Sequence, residues 1–252
     1  MIKLAPAGLK DDIEMRKVYA GFVAGQIEAG SPIIALEADL MSSMAMDSVA
    51  RDYPQHVINC GIMEANVIGT AAGLAHSVVL EVTDAVMFAD ILRQLMDLDG
   101  FYWLRTIRKQ ARSIYAPGST FTIGKGNVLR EGDDITLIAN GIMVAEALEA
   151  ARQLEQEGVS AAVIDMFTLK PIDRMLVKNY AEKTRRIVTC ENHSIHNGLG
   201  SAVAEVLVEN CPVPMRRVGV KERYGQVGTQ DFLQQEYGLT AEAIVEAAKS
   251  LL

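Results

Sequence analysis

Short apolar runs of strand length alternate with longer amphipathic stretches along nearly the whole chain, and this alternation limits it to layered α/β architecture with mainly parallel sheets. A helix predicted over about Asp12 to Glu28 sets Ile13, Val18, Phe22, Val23 and Ile27 near one face, and Pro32 to Asp39 follows as a strand. His56 to Gly61 reads as a second strand, Ile62 to about Ala75 as an unusually apolar helix, and Val78 to Val82 as a third strand. Thr83-Asp84 then caps a helix through about Leu98, before a strand over Phe101 to Ile107.

From Arg108 to about Gly132 the periodicity fades among Pro117-Gly118, Gly124-Lys125-Gly126-Asn127 and Glu131-Gly132-Asp133, the composition of a linker with a short hairpin. Alternation then restarts. Strands are expected at Ile135 to Ala139, Ala161 to Asp165, Arg186 to Cys190 and near Met215 to Val220, with helices over Val144 to Glu157, Asp173 to Lys183, Gly200 to Asn210 and Ala241 to Leu251. Gly158 reads as a helix stop. The expectation is two tandem three-layer α/β domains, 1–108 and 133–252, joined by a linker over 109–132.

Composition narrows the class of function. Half of the 252 residues are hydrophobic, enough for a substantial core. With 24 Lys and Arg against 32 Asp and Glu the net charge is −8, which disfavours nucleic-acid binding. No apolar run reaches the roughly 18 residues of a membrane span, and Met1 to Pro6 has no leader-like apolar region, so a cytoplasmic protein without a membrane role is expected. Cys60, Cys190 and Cys211 are widely spaced and form no CxxC pair, which signals neither a disulfide framework nor a zinc site.

The most informative stretch is Asn59-Cys60-Gly61-Ile62-Met63-Glu64-Ala65-Asn66, continuing to Gly73-Leu74-Ala75. Glu64 is its one carboxylate. Either it complements the positive end of a helix, or, because the helix is too apolar for the surface, it is buried, raised in pKa and able to exchange a proton with a ligand. Asp39 ends the first strand, where open α/β sheets bind ligands, although a turn-forming role before Ser42-Ser43 accounts for it equally. Cys190 to Gly200 gathers Glu191, His193 and His196 in a loop that suits a polar contact better than a metal site, since no second cluster of ligands accompanies it. Gly198-Leu199-Gly200 lacks a dinucleotide fingerprint and Gly124 to Asn127 lacks the Lys-Ser/Thr of a P-loop.

Taken together, Gly61-Ile62-Met63-Glu64-Ala65-Asn66 resembles the pyrimidine-binding motif of thiamine-diphosphate enzymes of the transketolase family. Ile123 to Gly132, Glu191-Asn192-His193, Gly198-Leu199-Gly200 and Gly219 to Gln226 resemble the linker and C-terminal domain of its split form. The resemblance implies a C-terminal subunit carrying the pyrimidine-binding domain over 1–108 and the transketolase C-terminal domain over 133–252. It implies that Glu64 hydrogen-bonds N1′ of the cofactor's aminopyrimidine, so that the exocyclic nitrogen can take the thiazolium C2 proton and the resulting carbanion can attack a ketose. Asp39, Gly61 and Ile62 would line the cofactor cleft. The Gly-Asp-Gly motif that holds Mg²⁺ and diphosphate in this family is absent, which implies a separate N-terminal subunit, inactivity without it, and a homodimer within an assembly of two copies of each. Substrates would be sugar phosphates. A catalytically silent interaction subunit and the β subunit of a 2-oxo-acid dehydrogenase are the alternatives.

One departure from the family pattern is large. Ala75 runs directly into His76, where the family carries several tens of further residues, including aromatic residues that stack on the pyrimidine and a Gly-Thr-His loop that meets substrate. Removing inner strands would open a sheet edge and uncover apolar helix faces, which favours a segment missing from the sequence as written over a truly shortened protein. A separation across Ala75 to His76 much wider than the roughly 3.8 Å of a trans peptide would mark such a gap.

Overall fold

The computed structural model describes residues 2–33, 35–37, 40–59, 78–100 and 102–252, with the backbone alone at 36, 37, 58 and 59. The chain forms two compact units. The first takes in Lys3–Val78 and Asp84–Phe121; the second takes in Val79–Thr83 and Thr122–Leu252. The expected helix from Ile62 to Ala75 and the Ala75–His76 join lie outside the described residues.

In the first unit α1 spans Met15–Glu28 and buries Met15, Ala20 and Val23. It begins later than Asp12 because Asp11 is committed elsewhere: its carboxylate accepts the Ala85 N–H at 2.9 Å and the Ser113 hydroxyl at 2.6 Å. The helix ends at Gly30, whose φ of 76° is a left-handed conformation natural to glycine. Strand β1 (Ala35–Glu37) and β2 (Val57–Asn59) pair in parallel, and the short α2 (Asp47–Asp52) lies between them in sequence. Val23, Ala35, Met46, Val49 and Val57 make their shared core. A helix α3 (Ala85–Leu95) follows, capped by Asp84 as the sequence implies, and then β4 (Tyr102–Arg105).

The stretch 109–132 divides between the units. Ala111, Ile114, Tyr115 and Phe121 are buried in the first, with Tyr115 and Phe121 packed edge to face at 4.7 Å. Asn127–Arg130 forms β5 of the second.

The second unit is built on β6 (Ile135–Ala139), β7 (Ala161–Asp165), β9 (Ile187–Ser194) and β10 (Met215–Val220), all parallel, with β5 added antiparallel to β7. Their order is β10-β9-β6-β7-β5. Every residue of β6 and β7 is buried, as expected for inner strands covered on both faces. Ile138, Ala162 and Ile164 pack against α5 (Arg174–Thr184) and α6 (Leu199–Asn210) through Val177, Ala181, Leu199 and Val203. Helices α4 (Met143–Gln156) and α8 (Ala241–Lys249) pack together, and Gly158 ends α4 with a φ of 82°.

Three small elements escape the sequence pattern: α2, β8 (Thr168–Lys170), antiparallel to β3 (Val78–Glu81), and α7 (Gln230–Glu236). Among the described residues no helix is long and apolar enough to cross a membrane.

Candidate functional site

The register of β1 and β2 sets the geometry of the first unit's working edge. Ala35 pairs with Val57, Leu36 with Ile58 and Glu37 with Asn59, so the two parallel strands end side by side and the chain leaves both at one edge. In sequence, Asp39 stands two positions beyond Glu37, while Gly61, Ile62 and Glu64 follow within five positions of Asn59. All four of these expected site residues lie outside the described residues. His56, just before β2, has Nδ1 2.8 Å from the Ile33 carbonyl oxygen, the local role its position suggests.

Asp84 braces this unit. It is fully buried; one carboxylate oxygen accepts the Met87 N–H at 2.9 Å, capping α3, and the other accepts the N–H groups of Ile114 at 2.8 Å and Tyr115 at 2.7 Å. Burial pushes the carboxyl above its ordinary range, and these three hydrogen bonds only partly offset that. One side chain thus fixes the start of a helix and the return of a segment thirty residues downstream.

The second unit carries a comparable seam at the carboxyl ends of its parallel strands. Asp165 closes β7 and accepts the Thr83 hydroxyl at 2.6 Å. Glu191, inside β9, accepts the N–H groups of Leu199 at 2.8 Å and Gly200 at 2.9 Å, so a strand carboxylate caps α6 from a distance. This explains Gly198: a β-carbon there would run into the Glu191 carboxylate. Burial raises Glu191, and the negative charge of Glu81 adds to the effect, against the two backbone hydrogen bonds. Asn140, beyond the end of β6, is wholly buried with neither amide atom hydrogen-bonded. None of Glu81, Asn140 and Asp165 was singled out from the sequence; the available signal was that Asn140 and Asp165 sit where buried apolar strands stop.

Of the loop's histidines, His193 borders this seam, its charge acting to lower Glu191. The expected loop from Cys190 is strand as far as Ser194, because Ser194 pairs with Val220 of β10, and this turns His193 outward. His193 Nδ1 lies 3.0 Å from the Ser194 carbonyl oxygen, and exposed His196 lies 3.8 Å from Glu222. Among the described residues no group of three or more His, Cys, Asp and Glu could hold a metal. Burial pushes the Cys190 thiol far up, which makes it a poor nucleophile.

Comparison with known proteins adds identity to this geometry. The family described as transketolase, pyrimidine binding domain, matches residues 11–111, and transketolase, C-terminal domain, matches residues 124–244. A 6-deoxy-6-sulfo-D-fructose transketolase subunit of Clostridium sp. (strain MSTE9) is 35% identical over 93% of this chain and 93% of its own. A solved structure described as split gene transketolase, inactive beta4 tetramer, superposes with a TM-score of 0.83 at 32% identity, covering 96% of this chain and 99% of that one. The Clostridium alignment runs over 299 positions while drawing on 93% of a 252-residue chain, so several tens of positions have no residue here, in keeping with the departure read from the sequence. A 1-deoxy-D-xylulose-5-phosphate synthase of Heliobacterium modesticaldum, 42% identical, aligns over 134 positions with 53% of the chain and 21% of its own length, and shows no such excess. The shortfall is therefore local to one part of the chain.

Proposed function

The chain belongs to the transketolase family, and from that premise we infer that it acts as the C-terminal subunit of a split transketolase, transferring a two-carbon ketol unit between sugar phosphates. The observation that carries this reading is the near end-to-end match to a separate transketolase subunit, since a chain matching a free-standing subunit over 93% of both lengths carries the same two domains. The parallel register of β1 and β2 supports the placing of the site: both strands deliver their following residues to one edge, where Asp39, Gly61, Ile62 and Glu64 come next in sequence.

Bound at that edge, thiamine diphosphate would supply the nucleophilic carbon. The part of this chain is to bind and orient the aminopyrimidine. Glu64 holds a proton at N1′, a task suited to a carboxyl flanked in sequence by apolar residues, since desolvation would favour the protonated form. Asp39, Gly61 and Ile62 line the same cleft. Mg²⁺ and the diphosphate fall to an N-terminal subunit, because the Gly-Asp-Gly motif is absent from this sequence. The working assembly in this reading is cytoplasmic, with a homodimer of this chain and two copies of each subunit.

The test is co-expression with a candidate N-terminal transketolase subunit, followed by a ketol-transfer assay. The pair should transfer and this chain alone should not. Glu64→Ala should lower the rate by about 2 to 4 kcal/mol in barrier, roughly 30-fold to 1,000-fold. Undiminished transfer by the variant removes Glu64 from the mechanism.

A further inference from the structure

The edge strand of the second unit carries a cationic groove that the ketol-transfer reading does not use. Between β10 and α8 lies a cavity of about 420 Å³, within the size range of small-molecule sites. Arg216, Arg217 and Lys221 line it with Tyr237, Glu246 and Ser250. Gly219, Gly238, Ala243 and Ala247 are the small residues of its lining.

The charge of this groove runs against that of the chain. A protein of net charge −8 here sets the side chains of Arg216 and Lys221 against one lining carboxylate, Glu246, while Arg217 turns its side chain to the other face of β10, over Gly200 and onto the Ile195 carbonyl. Nearby carboxylates are engaged elsewhere: Glu236 binds Arg223, and Glu222 faces His196. Arg216 gives one guanidinium N–H to the Met215 carbonyl, which leaves the remaining donors of its fork for another acceptor. Cations grouped in a concave site focus positive potential, and arginine forks match the paired oxygens of a phosphate. Tyr237 is held in place, its hydroxyl donating to the Tyr224 carbonyl at 2.8 Å and its ring carrying the Arg223 guanidinium at 5.2 Å. Charges on an edge strand also discourage strand pairing between molecules, but that role needs no cavity and no fixed aromatic wall.

We propose that this groove binds a small phosphorylated molecule, with its phosphates on Arg216 and Lys221 and its organic part towards Tyr237. The shared chemistry is two phosphate groups on one small molecule, joined in a nucleoside diphosphate and set apart in a sugar bisphosphate.

The test is calorimetric titration of the full chain with inorganic pyrophosphate, with sodium sulfate at matched ionic strength as control, and then with fructose 1,6-bisphosphate and ADP. Pyrophosphate should bind at one site per chain and sulfate at least tenfold more weakly. The organic ligand that binds tighter than pyrophosphate identifies which source the groove serves. The double variant Arg216→Glu, Lys221→Glu, both exposed positions, should lose at least tenfold in pyrophosphate affinity with an unchanged melting temperature, while Lys178→Glu on α5 should bind as the parent does. Should the double variant lose its fold, protection of Lys221 from acetylation by pyrophosphate in the parent protein gives the second reading. Absence of pyrophosphate binding, equal binding of sulfate, equal loss in Lys178→Glu, or unprotected Lys221 overturns the proposal.

Discussion

The two units solve the same α/β problem with different means. In the second, a five-stranded sheet is covered on both faces, and its strands β6 and β7 are buried from end to end. In the first, the described residues supply a two-stranded parallel pair, a smaller core, and an apolar cavity of about 170 Å³ lined by Tyr19, Phe22, Val23, Ile33, Leu92 and Met96 among others. The second unit is held by continuous apolar contact. The first leans on single polar anchors, above all Asp84 and Asp11, which tie segments distant in sequence. A core of many small contacts spreads its stability over many residues, whereas a buried carboxylate concentrates it in one.

This contrast can be tested by substitutions. The largest effect belongs to the second unit: a β-carbon at Gly132 would overlap the Ala161–Ala162 backbone, which cannot move without parting β7 from β6. Gly132→Val should cost on the order of 4 kcal/mol or more, read as a fall in the urea midpoint. A stable Gly132→Val protein would show that the inner strands are less rigidly packed than their burial implies.

Next, Asp84→Ala removes a helix cap and strands two buried N–H groups, at a cost of about 3 kcal/mol. Hydrogen exchange should accelerate at Met87, Ile114 and Tyr115 and stay unchanged in β6 and β7. Faster exchange in β6 and β7 as well would mean that the units do not differ in the way described.

Titration gives a third handle. Asp84 and Glu191 both have folded-state pKa values raised above the ordinary 3.8 and 4.5. The folded state therefore holds their protons more tightly than the unfolded state. The stability this contributes is fully present below those ordinary values and is lost as pH rises through the raised ones. Asp84→Asn and Glu191→Gln should each flatten the decline of stability with rising pH above that range, whatever either does to the absolute stability. An unchanged slope in both variants would show that their hydrogen bonds outweigh burial.

The smallest effect is expected at the end of α4. Gly158→Ala forces a side chain into a left-handed conformation with open space around it, so the cost is backbone strain alone, about 1 kcal/mol by thermal unfolding.

The same contrast governs what could be read in advance. Strands β6 and β7 coincide with the expected Ile135 to Ala139 and Ala161 to Asp165, because buried parallel strands leave an uninterrupted apolar or β-branched signature, and the edge strand β10 coincides with the expected Met215 to Val220 although Arg216 and Arg217 interrupt its apolar run. Strand β8 has three residues and exists through its pairing with β3, eighty-odd positions away, which no local pattern encodes. Helix α1 starts at Met15 where the apolar periodicity suggests about Asp12, and the preceding Asp11 is spent on Ala85 and Ser113. Asp84 was legible as a helix cap, but its second pair of partners was not.

What sequence alone determined here is the α/β class, the family, and the residue types at the proposed cofactor edge, because periodicity and motif are local properties of the chain. Only the tertiary structure decided that Glu191 would cap α6, that Asp84 would join a helix to a distant loop, and that Arg216 and Lys221 would share one groove. Each of those depends on bringing remote segments together, and the hydrogen bonds and electric fields that result act through space, not along the backbone.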